Sequence, residues 1–221
     1  CPETTYSFDY GSVHVAVLNL YCDATGEAAT DGNVSDTLYA WLADDLAASD
    51  KPHVFVVGHE PAYPQPDAHS GRLRHRGDSL DQYPAQRDRF WSLLVEEGVT
   101  AYVCGHTHGY SATRIDGVWQ LDVGHSSGMG DSGARSTFVR VTVDGDRVVY
   151  ETYRSTHEMP CDYRPYQRWE NDNPPETLEL RMLHAITPPS SVWIWALGGG
   201  GLGIAALVIA GRHNLRRREE P

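Results

Sequence analysis

Two short apolar runs, HVFVV at residues 53–57 and TAYVC at 100–104, each end in glycine followed by histidine. Five residues is the length of a strand, and a continuous apolar run suits a strand buried on both faces. Between the runs lies a helical stretch from Pro84, a residue favoured in the first turn, to Glu97, with Gly98 as its stop. Phe90, Trp91 and Leu94 mark its inner face. A strand–helix–strand unit predicts parallel and adjacent strands. Parallel strands deliver their carboxyl ends to one sheet edge, where ligands bind in open α/β sheets. The crossover therefore brings His59 and His106 together, and His108 joins them from the same GHTH loop.

The flanking sequence predicts more of the same architecture. YSFDYGSVHVAVLNLYC reads as a hairpin turning at Gly11-Ser12. Opposed residues then have numbers that sum to 23, which sets Cys1 against Cys22 at a spacing a cross-strand disulfide accepts; two independent thiols are the alternative. Cys104, inside a buried strand, is expected to be an inert apolar thiol. Ser35 is a good N-cap for DTLYAWLADDLAAS, whose Leu38, Trp41, Leu42 and Leu46 share a face. Two further hairpins are expected at Asp116-Gly117 and Asp144-Gly145.

The C-terminal part has a different character. Residues 156–190 are proline-rich and weakly periodic, and read as an irregular extension or stalk. VWIWALGGGGLGIAALVIA, from Val192 to Ala210, lies within an uncharged stretch and would span about 28 Å as a helix. Trp193 and Trp195 at one end and RHNLRRR after the other predict a membrane helix over 191–211 with a cytoplasmic basic tail over 212–221. The rest of the chain is then expected outside the cytoplasm. Asp and Glu number 30 against 18 Lys and Arg, a net charge of −12, which argues against a nucleic-acid-binding face.

Neutral imidazole is the commonest protein metal ligand, and three of them without nearby cysteine suit zinc, iron or manganese. Here the motifs resemble a known family. VVGHEPAYP and YVCGHTHGYS are similar to the last two motifs of the calcineurin-like metallophosphoesterases, a superfamily that includes the purple acid phosphatases. The opening YSFDYGSVHVAVLN resembles the segment that follows the family's third motif. The resemblance implies an α/β (α+β) four-layer fold, with two packed β-sheets and helices outside. It also implies two divalent or trivalent metal ions (Zn, Fe or Mn) bridged by a hydroxide. Carried over by motif, His59 and His106 would ligate one metal and His108 the other. The family's earlier motifs, a DxH, a GD and a GNH, do not precede the hairpin here. Residues 1–155 therefore read as the C-terminal portion of such a domain, with the N-terminal half and its carboxylate ligands missing.

The loop PDAHSGRLRHRGDSLDQ is expected to overhang the site. His75, with His69 as its rival, is placed to protonate a leaving group, and Arg72, Arg74 and Arg76 to clamp phosphate oxygens. Tyr110 is expected to wall the pocket, with core packing as the alternative, and His125 and Glu60 are secondary candidates. The function implied is hydrolysis of small phosphate mono- or diesters by a membrane-tethered, extracytoplasmic enzyme. The alternative is a non-catalytic membrane-tethered module on the same fold.

Overall fold

The computed structural model describes residues 3–22, 32–125, 135–156 and 162–172, and the backbone of 192–197 and 206–210. The N-terminal hairpin forms as expected. β1 (Tyr6–Tyr10) and β2 (Val13–Val17) pair antiparallel with Tyr6 opposite Val17 and Tyr10 opposite Val13, turning at Gly11 in the left-handed region (φ +58°). Cys22 is disulfide-bonded; its expected partner, Cys1, lies outside the described residues.

Helix α1 (Asp36–Ala48) starts where Ser35 predicts, the serine Oγ accepting from the Leu38 N–H at 3.2 Å. Its Leu38, Leu42 and Leu46 are buried. β3 (His53–Val57), α2 (Pro84–Glu96) and β4 (Ala101–Cys104) then form the expected strand–helix–strand unit. β3 pairs parallel with β2 on one side and β4 on the other, Phe55 facing Ala101. β5 (Ser111–Ile115) and β6 (Val118–Asp122) follow as a hairpin whose turn residues, Asp116 and Gly117, both have positive φ. The first sheet runs β1-β2-β3-β4-β6-β5, with its four central strands parallel.

β7 (Thr137–Asp144) and β8 (Arg147–Ser155) begin the second sheet. Their turn is centred on Gly145-Asp146, one residue later than expected, because Asp144 pairs with Arg147. Within the segment expected to be irregular, β9 (Tyr163–Glu170) pairs with β8 along a ladder bulged between Thr152 and Tyr153. Pro165 sits beside that bulge on an edge strand, where the ladder tolerates a missing N–H.

The expected membrane helix is corrected by the structure. Val192–Leu197 forms β10 and Ala206–Ala210 forms β11, an antiparallel pair that extends the second sheet beside β7 in the order β11-β10-β7-β8-β9. The physical reason lies in the composition. Alternating Trp and β-branched residues favour an extended chain, and five glycines between 198 and 203 are poor helix formers. An apolar run alone does not distinguish the two conformations. No helix among the described residues is long and apolar enough to cross a membrane. The basic tail at 212–221 lies outside the described residues.

Two cores result from the period-two alternation of the first sheet. Val13, Val15, Phe55, Val103 and Leu121 face Val139, Val141 and Tyr150 of the second sheet. Ala16, Val54, Val56 and Tyr102 face Leu42, Phe90 and Leu94 of the helices. The described residues thus make three of the four expected layers, with both helices on one sheet.

Candidate metal centre

β3 and β4 end together, and the loops that leave them are hydrogen-bonded across the gap. The Gly58 N–H donates to the Val103 carbonyl (3.0 Å) and the Gly105 N–H to the His59 carbonyl (2.9 Å). Gly58 is required by crowding: a Cβ there would collide with the Tyr102 hydroxyl, which donates to the Glu60 carbonyl at 2.6 Å. These contacts bring His59 Nε2 within 3.3 Å of His106 Nδ1.

The proton positions follow from the partners. A carbonyl only accepts, so His106 must carry its hydrogen on Nε2, which donates to the Asp78 carbonyl (3.2 Å). Burial, helped by the charges of His75 and His59, pushes the His106 pKa down to about 4. Burial, then His108 and His75, also lowers that of His59. Both rings are neutral at neutral pH, and His106 turns the lone pair of Nδ1 toward His59. Two nitrogens each about 2.05 Å from one tetrahedral ion stand about 3.3 Å apart. The observed pair has that spacing, and a carbonyl-held imidazole is the usual outer support of a metal ligand. The residues present therefore fit a metal.

His108 lies on the other side. His75 bridges the group, its ring centroid 4.3 Å from that of His106 and 6.1 Å from that of His108. The His108 ring is 5.5 Å from that of buried His125, and Arg74 donates to His108 Nδ1 at 3.2 Å. His75, His106 and His108 all have positive φ, at 55°, 68° and 58°. That conformation is uncommon for residues with a side chain and is often found at functional sites. Thr107, between the two motif histidines, donates to Asp122 Oδ2 at 2.5 Å and accepts from the Gly109 N–H at 3.1 Å. Asp122 is fully buried at the end of β6, and burial raises its pKa to about 8. Sequence reasoning missed this carboxyl; an acidic residue closing an apolar strand was the available signal.

Other expected residues are placed differently. Tyr110 is in the core, with no exposed surface, its hydroxyl donating to Gln167 Oε1 (2.8 Å) and accepting from Thr152 (2.8 Å). It packs between the sheets and does not wall a pocket. Of the three arginines, Arg74 reaches a site histidine, whereas Arg76 is exposed and the Arg72 carbonyl closes a loop by accepting from the Asp67 N–H. His69 stacks edge-on toward Tyr166 (6.4 Å). Glu60 accepts from the Tyr21 hydroxyl and the Gly32 N–H, both at 2.7 Å, which ties down the segment ahead of α1. Asp67-Ala68-His69 has the form DxH, but Asp67 is committed elsewhere: its carboxylate accepts from Arg154 (2.7 Å), the Tyr110 N–H (2.8 Å) and the Ser70 N–H (2.8 Å). Arg154 and these amides hold its pKa well below the usual carboxylate range against the opposing effect of burial.

The sequence profile of the calcineurin-like phosphoesterases matches residues 4–110, and over this segment the chain is similar to that family. Purple acid phosphatase 22 of Arabidopsis thaliana is 34% identical over 108 residues, covering 48% of this chain and 21% of that protein. An acid phosphatase of Aspergillus ficuum is 30% identical, with 48% of this chain and 21% of that protein covered. The chain thus spans about a fifth of the length of these curated relatives. A purple acid phosphatase from yellow lupin (Lupinus luteus) seeds shares the fold, with a TM-score of 0.51 at 16% identity, over 75% of this chain and 32% of that one.

Proposed function

We propose that residues 1–155 are the histidine-bearing portion of a metal-dependent phosphoesterase acting on small phosphate mono- or diesters. The observation that carries this reading is the 3.3 Å approach of His59 Nε2 and His106 Nδ1 at the carboxyl ends of adjacent parallel strands. In this reading His59 and His106 hold one ion of a two-metal centre and His108 contributes to the other. When bound, such ions supply charge neutralisation at phosphate oxygens and a nucleophile at neutral pH. The chain's own part is to keep His59 and His106 unprotonated by burial and to aim the histidine loop through Asp78 and Thr107. Arg74 is placed to bind a phosphate oxygen once released from His108.

Imidazoles bring no charge, and a centre of two cations needs carboxylates to hold both firmly. The catalytic unit in this reading includes the family's DxH, GD and GNH series ahead of the hairpin. The disulfide at Cys22 supports a location in an oxidising compartment. The coding sequence around position 1 tests the reading cheaply. An in-frame DxH, GD, GNH series supports it, and a complete open reading frame without one overturns it. Where the series is present, the whole protein should hydrolyse p-nitrophenyl phosphate or its diester. His59→Ala and His106→Ala should each lower kcat at least about a hundredfold.

A further inference from the structure

We propose a cation site in this chain that recruits the overhanging loop: His75 and Asp78 bind a divalent ion together with His106. The proposal rests on the two-metal reading of the histidine motifs and deepens it by adding donors that no motif assigns. Ligand atoms of His75, Asp78 and His106 all lie within 4.8 Å of one another. Donors that share one ion at about 2 Å each stand roughly 3.3 Å apart, so the loop need draw in by only about 1.5 Å. His59 Nε2, 3.3 Å from His106 Nδ1, is available as a fourth donor.

Three further observations point to a ligand. Asp78 Oδ2 faces His75 Nδ1 at 3.1 Å, while Asp78 Oδ1 is buried with no hydrogen-bond partner among the described residues. A carboxylate oxygen shut away from water without a donor is costly, and a cation removes that cost. The Asp78 backbone holds His106 in the tautomer that frees Nδ1, so one residue both aims the imidazole and offers it a partner oxygen. Finally, the loop is pinned at the right height. The Ser79 hydroxyl donates to the His75 carbonyl (2.7 Å), and Asp81 accepts from the Gly77 N–H (2.9 Å) and the Ser79 N–H (3.3 Å). His75, expected from sequence to protonate a leaving group, is here a ligand. The set of imidazoles and one carboxylate matches zinc or cobalt(II) and suits magnesium or calcium poorly.

The test is cobalt(II) titration of the full 221-residue chain, read by visible absorption and calorimetry, with the melting temperature of each metal-free variant as a folding control. One equivalent should bind. His75→Ala and Asp78→Asn should each weaken binding at least tenfold, with melting temperatures near the parent's. Both side chains are partly exposed, so loss of fold is not expected to obscure the result. If His59→Ala weakens binding while His75→Ala and Asp78→Asn do not, the loop is not a ligand and the proposal fails, though the motif centre stands. If binding is insensitive to all three and to His106→Ala, the ion sits elsewhere and both readings fail. A parent chain that binds no cobalt(II) also overturns the proposal, leaving the two-metal reading to the coding-sequence test.

Discussion

Thr107 and Asp122 show how a single buried pair shapes the histidine loop. Thr107 separates His106 from His108, and its hydroxyl is fastened to the carboxyl that closes β6. Since burial raises the Asp122 pKa to about 8, this group is protonated in the fold over a range in which an unfolded chain has it ionised. Between the usual carboxylate value of about 4 and about 8, the unfolded state therefore binds fewer protons, and stability falls as pH rises. Asp122→Asn keeps the shape and removes the titration. It should flatten that slope and stabilise the chain on the order of 2 kcal/mol at pH 8, with little gain at pH 4. Urea denaturation at the two pH values measures this. Thr107→Val keeps the volume but leaves the Asp122 carboxyl short of a partner, and should cost about 1–3 kcal/mol. In the same titration it should also weaken cobalt(II) binding.

Among the elements, those with strong periodicity and end signals were legible. Ser35 placed α1, Pro84 and Gly98 bounded α2, and the apolar runs at 53–57 and 101–104 became adjacent parallel strands. Proximity of His59 and His106 followed from that crossover alone. What the sequence hid depended on contacts made far along the chain. Asp78 meets His106 through a loop whose left-handed residues, including His75, carry no obvious signature. β9 escaped notice because Pro165 masks an alternation that only pairing with β8 completes. The apolar tail satisfied a membrane pattern, yet β7 offers it a ladder. Tyr110 was ambiguous because a tyrosine beside a site loop serves a wall or a core equally well; Gln167 and Thr152 decide it. The cap of α1 gives a local test. Ser35→Ala removes the acceptor for the Leu38 N–H and should cost about 1 kcal/mol, seen as a lower urea midpoint at unchanged m-value.

At the scale of the whole molecule, two features bear on stability. Cys22 is in a disulfide, while Cys104 is buried with its thiol pushed well above the ordinary value. Mass spectrometry after iodoacetamide treatment should show Cys104 unmodified in the native chain and modified in urea. Reduction should lower stability by about 2–4 kcal/mol. The second feature is the ion pair between Arg154 of the second sheet and Asp67 of the loop beyond β3, both nearly inaccessible. Removing one partner of such a pair costs about 3–5 kcal/mol, so Asp67→Asn should be severely destabilising at pH 7. Asp67 has a lowered pKa in the fold, so its contribution is complete above about pH 4 and is lost as pH falls further. The difference between parent and variant should therefore shrink below pH 4.

That carboxylate also receives the Tyr110 N–H, two residues after His108, and the Ser70 N–H from the overhanging loop. Arg154 of the second sheet holds that same carboxylate, so exchange of these amides is expected to follow the opening of the Asp67–Arg154 pair. In deuterium, Tyr110 and Ser70 should exchange together, at the rate at which the two sheets separate, while the exposed turn at Gly117 exchanges on its own. On that outcome the histidine loop has no private melting event: it keeps or loses its shape with the whole sandwich.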